Sequence, residues 1–272
     1  MKRFVVLHKK VGETPLSAIQ KWKIQNPEYA NETACYAGRL DPMASGKLLV
    51  LLGKECKRLR AYTGLDKEYE IEILLDVGSD TGDALGIPSL SLPSKETRVG
   101  ADVLNNILSR ERGPHLRAYP AFSSKTVGGK PLFLHALEGT LPYMEVPEHI
   151  ERIYCIEQMG AQTIPGQELE ERVLKFLEKV PHTDEPSKRL GADFRIDTIR
   201  AHWESLFKIA DERSFIVLRL RVVCASGTYM RSLAGRIGES LGTKALALSI
   251  KRTKIGKYMP LWRGAGWWLR TY

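Results

Sequence analysis

Cysteine is scarce and scattered. The four thiols, Cys35, Cys56, Cys155 and Cys224, include no closely spaced pair. The spacings of a zinc ribbon or a redox dithiol are therefore absent, and the cysteines read as free thiols in a reducing compartment. No apolar run approaches the roughly 20 residues that a membrane-spanning helix needs. The run near the amino terminus, Phe4 to Leu7, is too short for a signal peptide and is followed by His8, Lys9 and Lys10. A cytoplasmic protein is expected. Internal repeats and low-complexity tracts are missing too, which excludes a solenoid or array. Acidic residues are in deficit, 32 against 41 Lys and Arg, for a formal net charge of +9 and a pI near 9.3. Such a balance favours a polyanionic partner, nucleic acid before an anionic membrane surface, because clustered cations gain affinity by releasing counterions from phosphates. With 272 residues and 43% hydrophobic content, the chain can bury one large core or two modest ones.

What is present centres on residues 35–53, where Cys-Tyr-Ala-Gly-Arg-Leu-Asp-Pro-Met-Ala-Ser-Gly runs into Lys-Leu-Leu-Val-Leu-Leu-Gly. Asp41 precedes a proline, which pushes its backbone out of the helical region, and Gly38 and Gly46 permit bends on either side. Leu48 to Leu52 reads as a strand buried on both faces, holding the loop from behind. A carboxylate on such a loop is either a candidate catalytic group or an Asx turn between two strands.

Ahead of this loop, Phe4 to Leu7 reads as a strand, and Thr14-Pro15 as the capped start of a helix that runs to about Asn26. Behind it, Lys54, Lys57, Arg58 and Arg60 form either a phosphate path or a solvated face. Tyr69, Ile71, Ile73 and Leu75 alternate with Glu70 and Glu72, as in a half-buried strand. Asp80-Thr81-Gly82-Asp83 matches no calcium loop and reads as a plain turn, leading into a Ser/Pro-rich connection through Pro93. A helix is expected over 101–112. The stretch 120–130 reads as a protruding arm with Lys125 and Lys130, followed by a short helix that ends at Gly139. Residues 145–206 carry a strand near Ile153 to Gln158, a helical pattern at Leu169, Val173, Leu174 and Leu177, and a charged linker through Arg189, with no evident chemistry. Ser214 to Cys224 alternates Ile216, Leu218, Leu220 and Val222 with Arg219 and Arg221, which predicts a strand with a basic outer face. Ser226-Gly227-Thr228 is expected to cap a helix with Leu233, Ile237 and Leu241 on one face and Arg231 in its first turn, pointing into a cleft or simply exposed. A strand near Ala245 to Ile250 precedes a basic run, 251–257, and the tryptophans 262, 267 and 268. Cations beside aromatics suit RNA, and late tryptophans equally suit closure of a core.

Four segments together resemble the TruB-type tRNA pseudouridine synthases: Gly38 to Gly46 the catalytic loop, Lys67-Glu68-Tyr69-Glu70 the motif with the active-site tyrosine, Phe122 to Gly139 the RNA-gripping thumb, and Cys224 to Leu233 the motif with the arginine that pairs with the aspartate. The resemblance implies a mixed α/β (α+β) catalytic fold around a twisted, largely antiparallel sheet, with no metal and no organic cofactor. It implies isomerisation of a uridine to pseudouridine in RNA, with the T-loop of tRNA as substrate and the T-arm as partner. It assigns Asp41, Tyr69 and Arg231 to catalysis, and Tyr36, Lys57, Lys130, Tyr229 and Ile250 to substrate binding. The same chemistry on another RNA, or an idle RNA-binding or RNA-folding protein, are the alternatives. The expected layout is a catalytic domain over 1–258 with a thumb at 123–139, an uncharacterised insert at about 160–210, and a short aromatic tail at 259–272 in place of a full accessory RNA-binding domain. Three departures stand out: Tyr36 occupies the position of the family's histidine wedge, the accessory RNA-binding domain is expected to be absent or vestigial, and the insert lies outside the family pattern.

Overall fold

The structure, a computed structural model, describes residues 2–91, 100–180, 195–210, 212–261 and 265–272. Along the chain, β1 (Phe4–Lys9) leads to α1 (Pro15–Gln25), then β2 (Ala34–Ala37) and β3 (Ser45–Leu52), a 3-10 turn over Gly53–Arg58, α2 (Arg60–Thr63) and β4 (Asp66–Leu75). Next come β5 (Val77–Ser79), β6 (Pro88–Leu90), α3 (Ala101–Glu111) and β7 (Gly113–Ala118), then the hairpin β8 (Thr126–Val127) and β9 (Lys130–Pro131) with α4 (Leu132–Leu137). The remainder is β10 (Glu148–Pro165), α5 (Gly166–Glu178), α6 (Ile196–Ala210), β11 (Ser214–Cys224), α7 (Met230–Ser240), β12 (Ala245–Pro260) and β13 (Gly266–Thr271). No helix among the described residues is long and apolar enough to cross a membrane.

Nine strands form one sheet in the order β1-β3-β12-β4-β11-β10-β7, with β2 on β3 and β13 on β12. Every pairing in it is antiparallel except that of β12 with β3. The fold is thus mixed α/β around a largely antiparallel sheet. Local chemistry starts α1 as its sequence predicts: Thr14 Oγ1 accepts the Ser17 amide at 3.0 Å, Ser17 Oγ accepts the Thr14 amide at 2.9 Å, and Pro15 fills the first turn.

The sheet's middle is covered on both faces. On one side Tyr69, Ile71, Ile73 and Leu75 of β4 pack with α3 and α7. On the other, Leu74 of β4, Phe215 and Val217 of β11, and Leu246 and Leu248 of β12 pack beneath α5 and α6 around the buried Trp203. This second layer corrects two expectations. The strand β4 is not simply half-buried, since Leu74 is covered beside Glu72, which pairs with Arg172 of α5. The basic outer face of β11 is confined to its centre, where Arg219 is exposed and Arg221 is neutralised by Glu68 and Glu157.

Other boundaries shift for nonlocal reasons. β10 runs far beyond Gln158 because it zips against β11 as far as the pair Pro165 and Ser214. β6 pairs with β5 inside the stretch read as a Ser/Pro connection. The charged linker of 181–194 and Trp262 lie outside the described residues, while Trp268 packs edge-on to Tyr258 at 5.3 Å and Trp267 is exposed. Helix α7 starts at Tyr229 without a side-chain cap from Ser226 or Thr228; instead Glu151 of β10 accepts the Tyr229 amide at 3.0 Å. A carboxylate there also opposes the positive end of the helix dipole.

Candidate active site

The loop carrying Asp41 is fixed from below by buried cations. Gly38 and Gly46 have φ of +86° and +105°, and a Cβ at Gly46 would lie 2.2 Å from the Arg252 carbonyl oxygen, so the close approach of β12 requires glycine. Arg252, itself buried, donates to the carbonyls of Lys47 at 2.7 Å and of Arg39 and Gly38 at 3.2 Å each. Lys9 reaches the Pro42 carbonyl at 3.4 Å and that of Glu13 at 2.7 Å, and the Gly12 amide donates to Pro42 at 2.9 Å. Lys67 donates to the carbonyls of Thr63 and Leu65. Burial pulls the ammonium groups of Lys9 and Lys67 down to about 8 each.

Into this frame α7 delivers Arg231. Its Nε donates to Asp41 Oδ2 at 2.9 Å, Nη1 to the Thr81 carbonyl at 2.7 Å and Nη2 to the Phe122 carbonyl at 3.0 Å, while Asp83 Oδ2 lies 3.6 Å from Nε. Burial works against the guanidinium charge, but the carboxylates of Asp41 and Asp83 outweigh it and hold its pKa above the ordinary range. Asp83 is buried, which pushes its carboxyl pKa up despite Arg231, and it accepts from Thr81 Oγ1 at 2.8 Å and the Leu85 amide at 3.0 Å. The side chains of Arg231 and Asp83 are 6% and 7% exposed and that of Asp41 is 37% exposed, so Asp41 is the open member of the group. An acceptor carboxylate thus faces the solvent while its counter-ion stays dry.

Two cavities meet at Asp41. The first, of about 190 Å³, has Lys67, Tyr69, Tyr229, Ile250 and Arg252 among its walls. The second, of about 160 Å³, is walled by Met43, Leu85, Phe122, Phe133 and residues of α6. Arg39, Asp41, Ser123, Ser124 and Arg231 line both and form the ridge between them. Burial raises the phenol pKa of Tyr69, and that of Tyr229 is raised by burial and then by the charge of Asp41. Both rings remain neutral at physiological pH. Beside Tyr229, Tyr119 stacks on His149 at 4.0 Å, with the Tyr229 ring edge-on to both.

The structure brings Asp41, Tyr69, Arg231, Tyr229 and Ile250 to one cavity. It does not bring Tyr36, Lys57 or Lys130 there. Tyr36 on β2 packs into the cluster beneath α1 with Ala18, Ile19 and Leu48. Lys57 is exposed on the 3-10 turn, beside a separate hollow shared with Lys2 and Arg3. Lys130 on β9 pairs with Glu138 within the arm. Sequence reasoning misses Asp83, because the segment 80–83 has the composition of a plain turn; its one signal is an apolar context, with Ala84 and Leu85 following. It also misses Ser123, and Val180, Ile196 and Ile199 of the insert, which wall the second cavity.

The family described as TruB family pseudouridylate synthase (N terminal domain) matches residues 28–173, a span that includes Asp41, Tyr69 and Asp83 and stops short of Arg231 and Ile250. The tRNA pseudouridine synthase B of Francisella tularensis subsp. tularensis (strain FSC 198) is 27% identical over 230 residues, 84% of this chain and 57% of that protein. The protein of the same name from Blochmanniella floridana is 24% identical over 238 residues, 87% of this chain and 70% of that protein. The chain therefore spans little more than half the length of the Francisella relative. Among solved structures, a chain of a Cbf5-Nop10-Gar1 complex superposes with a TM-score of 0.54 at 19% identity, covering 93% of this chain and 48% of the other. That likeness is one of fold.

Proposed function

This chain belongs to the TruB family of pseudouridylate synthases, and from that premise we propose that it isomerises a uridine of RNA to pseudouridine, with the T-loop uridine of tRNA as its substrate. Asp41 is the catalytic carboxylate in this reading. The observation that carries it is the ridge: one open carboxylate, held by the buried Arg231, at the meeting point of two cavities of which one is walled by Tyr69, Tyr229 and Ile250.

The reaction breaks the bond between uracil N1 and the sugar, turns the base, joins C5 to C1′ and releases the C5 hydrogen to water. Asp41 serves it as nucleophile or as base, and both roles require the ionised form that Arg231 favours. Tyr69, kept neutral by burial, offers a ring face to the uracil, and Ile250 closes the same cavity from β12. A target uridine within a folded loop is first extruded from its stack, at a cost of a few kcal/mol that stacking and phosphate contacts offset. Arg39 on the outer lip and Lys125, whose ammonium lies 5.0 Å over the Tyr119 ring, are exposed cations suited to those phosphates. The domain layout in this reading is a catalytic unit over 1–258 with the thumb at 123–139.

The same chemistry on another RNA is the second reading, favoured by the walls that the insert adds beside Asp41. Release of tritium from C5-labelled uridine separates the two. A T-arm stem-loop is expected to release one equivalent, with unrelated stem-loops inert; release from another RNA alone would support the second reading, and release from none would refute both.

A further inference from the structure

We propose that the second cavity is a nucleobase subsite, built by the insert, for the base of a nucleotide adjoining the target uridine in the same strand; this rests on the reading above that the first cavity takes the target uracil. The insert is welded to the site and is not a remote decoration. Trp203 of α6 donates its indole Nε1–H to the Ala84 carbonyl at 3.1 Å, next to Asp83. Arg195, at the start of the same helix, pairs with Asp80 at 2.8 Å and lies 5.1 Å over the Phe122 ring at the root of the thumb. These ties hold Ile196 and Ile199 in the wall of the second cavity, which Phe122 and Phe133 also line.

The occupant follows from size, chemistry and continuity. A cavity of about 150 Å³ admits a benzene-sized ring, and this one, of about 160 Å³, has an apolar part walled by aliphatic side chains and two phenylalanines and a polar part walled by Thr81, Asp83 and the ridge residues. A single planar ring system fits, and aromatic faces are what an unstacked base gains energy from. The cavity opens on the ridge that carries Asp41, so an RNA strand with its target base in the first cavity crosses that ridge, and an adjoining base falls on the far side. Arg39, exposed on the ridge, is placed for the phosphate that joins the two nucleotides. The polar handle is Ser123: its side chain is buried, it lines both cavities, and its hydroxyl has no hydrogen-bond partner among the described residues. A buried hydroxyl left unpaired is satisfied when the edge of a base supplies the partner.

The test is a binding cycle with the full chain on the tRNA T-arm stem-loop, intact or with an abasic residue immediately 5′ or 3′ of the T-loop uridine. Ile199→Trp fills the cavity, and Ile196→Phe fills it from another point on the same wall. We expect each filler to weaken binding of intact RNA about tenfold, and the wild type to lose about tenfold on one of the two abasic RNAs. On that RNA, filler and wild type should bind alike, because both have lost the same contact. Ser123→Ala adds no bulk and should show the same cycle at smaller amplitude with an unchanged or raised melting temperature, so it carries the test where a filler unfolds. Losses that multiply on both abasic RNAs, or fillers that bind intact RNA as the wild type does, would overturn the subsite. Binding without tritium release would instead refute the activity and leave the subsite decided by the same cycle.

Discussion

Arg231 is a single guanidinium that serves two carboxylates and two carbonyls at once. Lysine has the charge but lacks the planar fork, so Arg231→Lys leaves part of this set unpaired and lets Asp41 turn. Single-turnover assays should show a loss of at least about 100-fold, the scale of one misplaced catalytic donor. Asp83→Ala strips the acceptor from Thr81 Oγ1 and from the Leu85 amide and removes half the anionic charge beside a buried cation; urea unfolding should report a loss of about 3 kcal/mol. Lys67 gives a pH signature. Burial lowers its pKa from the ordinary 10.5 to about 8, so above that pH the unfolded chain keeps a proton that the native state has shed, and stability rises with pH. Between about pH 8 and about pH 9.5 this one group should add on the order of 1.5 kcal/mol. Lys67→Met should lack that increment in paired urea titrations, and an identical pH response would show that the ammonium is solvated.

Elements whose reasons are local were legible in the sequence, and those whose reasons lie across the fold were not. Thr14, Pro15 and Ser17 start α1 by bonds among neighbours, and Gly38 and Pro42 shape the Asp41 loop through their own backbones. In contrast, the cap of α7 is supplied by Glu151, 78 residues away in sequence, which no reading of Ser226-Gly227-Thr228 reveals. Helix α6 carries apolar residues at 196, 199, 203, 206, 207 and 210, a helical spacing that was open to reading. What gives it meaning is the far face of the sheet, where Leu74, Phe215 and Leu246 meet it. Trp203→Ala, which leaves a cavity in that layer and frees the Ala84 carbonyl, should cost about 3–5 kcal/mol in urea unfolding and, by loosening the Asp83 turn, lower turnover as well. A stability loss with undiminished turnover of the folded fraction would separate the insert from the site.

For the whole molecule, the excess of 41 basic over 32 acidic residues predicts that log affinity for RNA falls linearly with log salt concentration, by about 0.7–0.9 for each phosphate contacted. Removing the arm from Val127 to Leu137 should make that slope shallower, and an unchanged slope would take the arm out of the RNA interface. The family was readable at this scale from motifs scattered along the chain; their convergence was not, since Asp41 and Arg231 lie 190 residues apart and meet only once the sheet is assembled. In the proposed reaction this convergence is an isomerase centre with Asp41 as its reacting group. Its most direct test is single-turnover tritium release by wild type and Asp41→Asn on one C5-labelled RNA, beside filter binding of that RNA. The near-isosteric amide should bind within about threefold of wild type and release no tritium above background. Substantial release by Asp41→Asn would mean that the loop is only a turn between two strands, and the catalytic reading would fall with it.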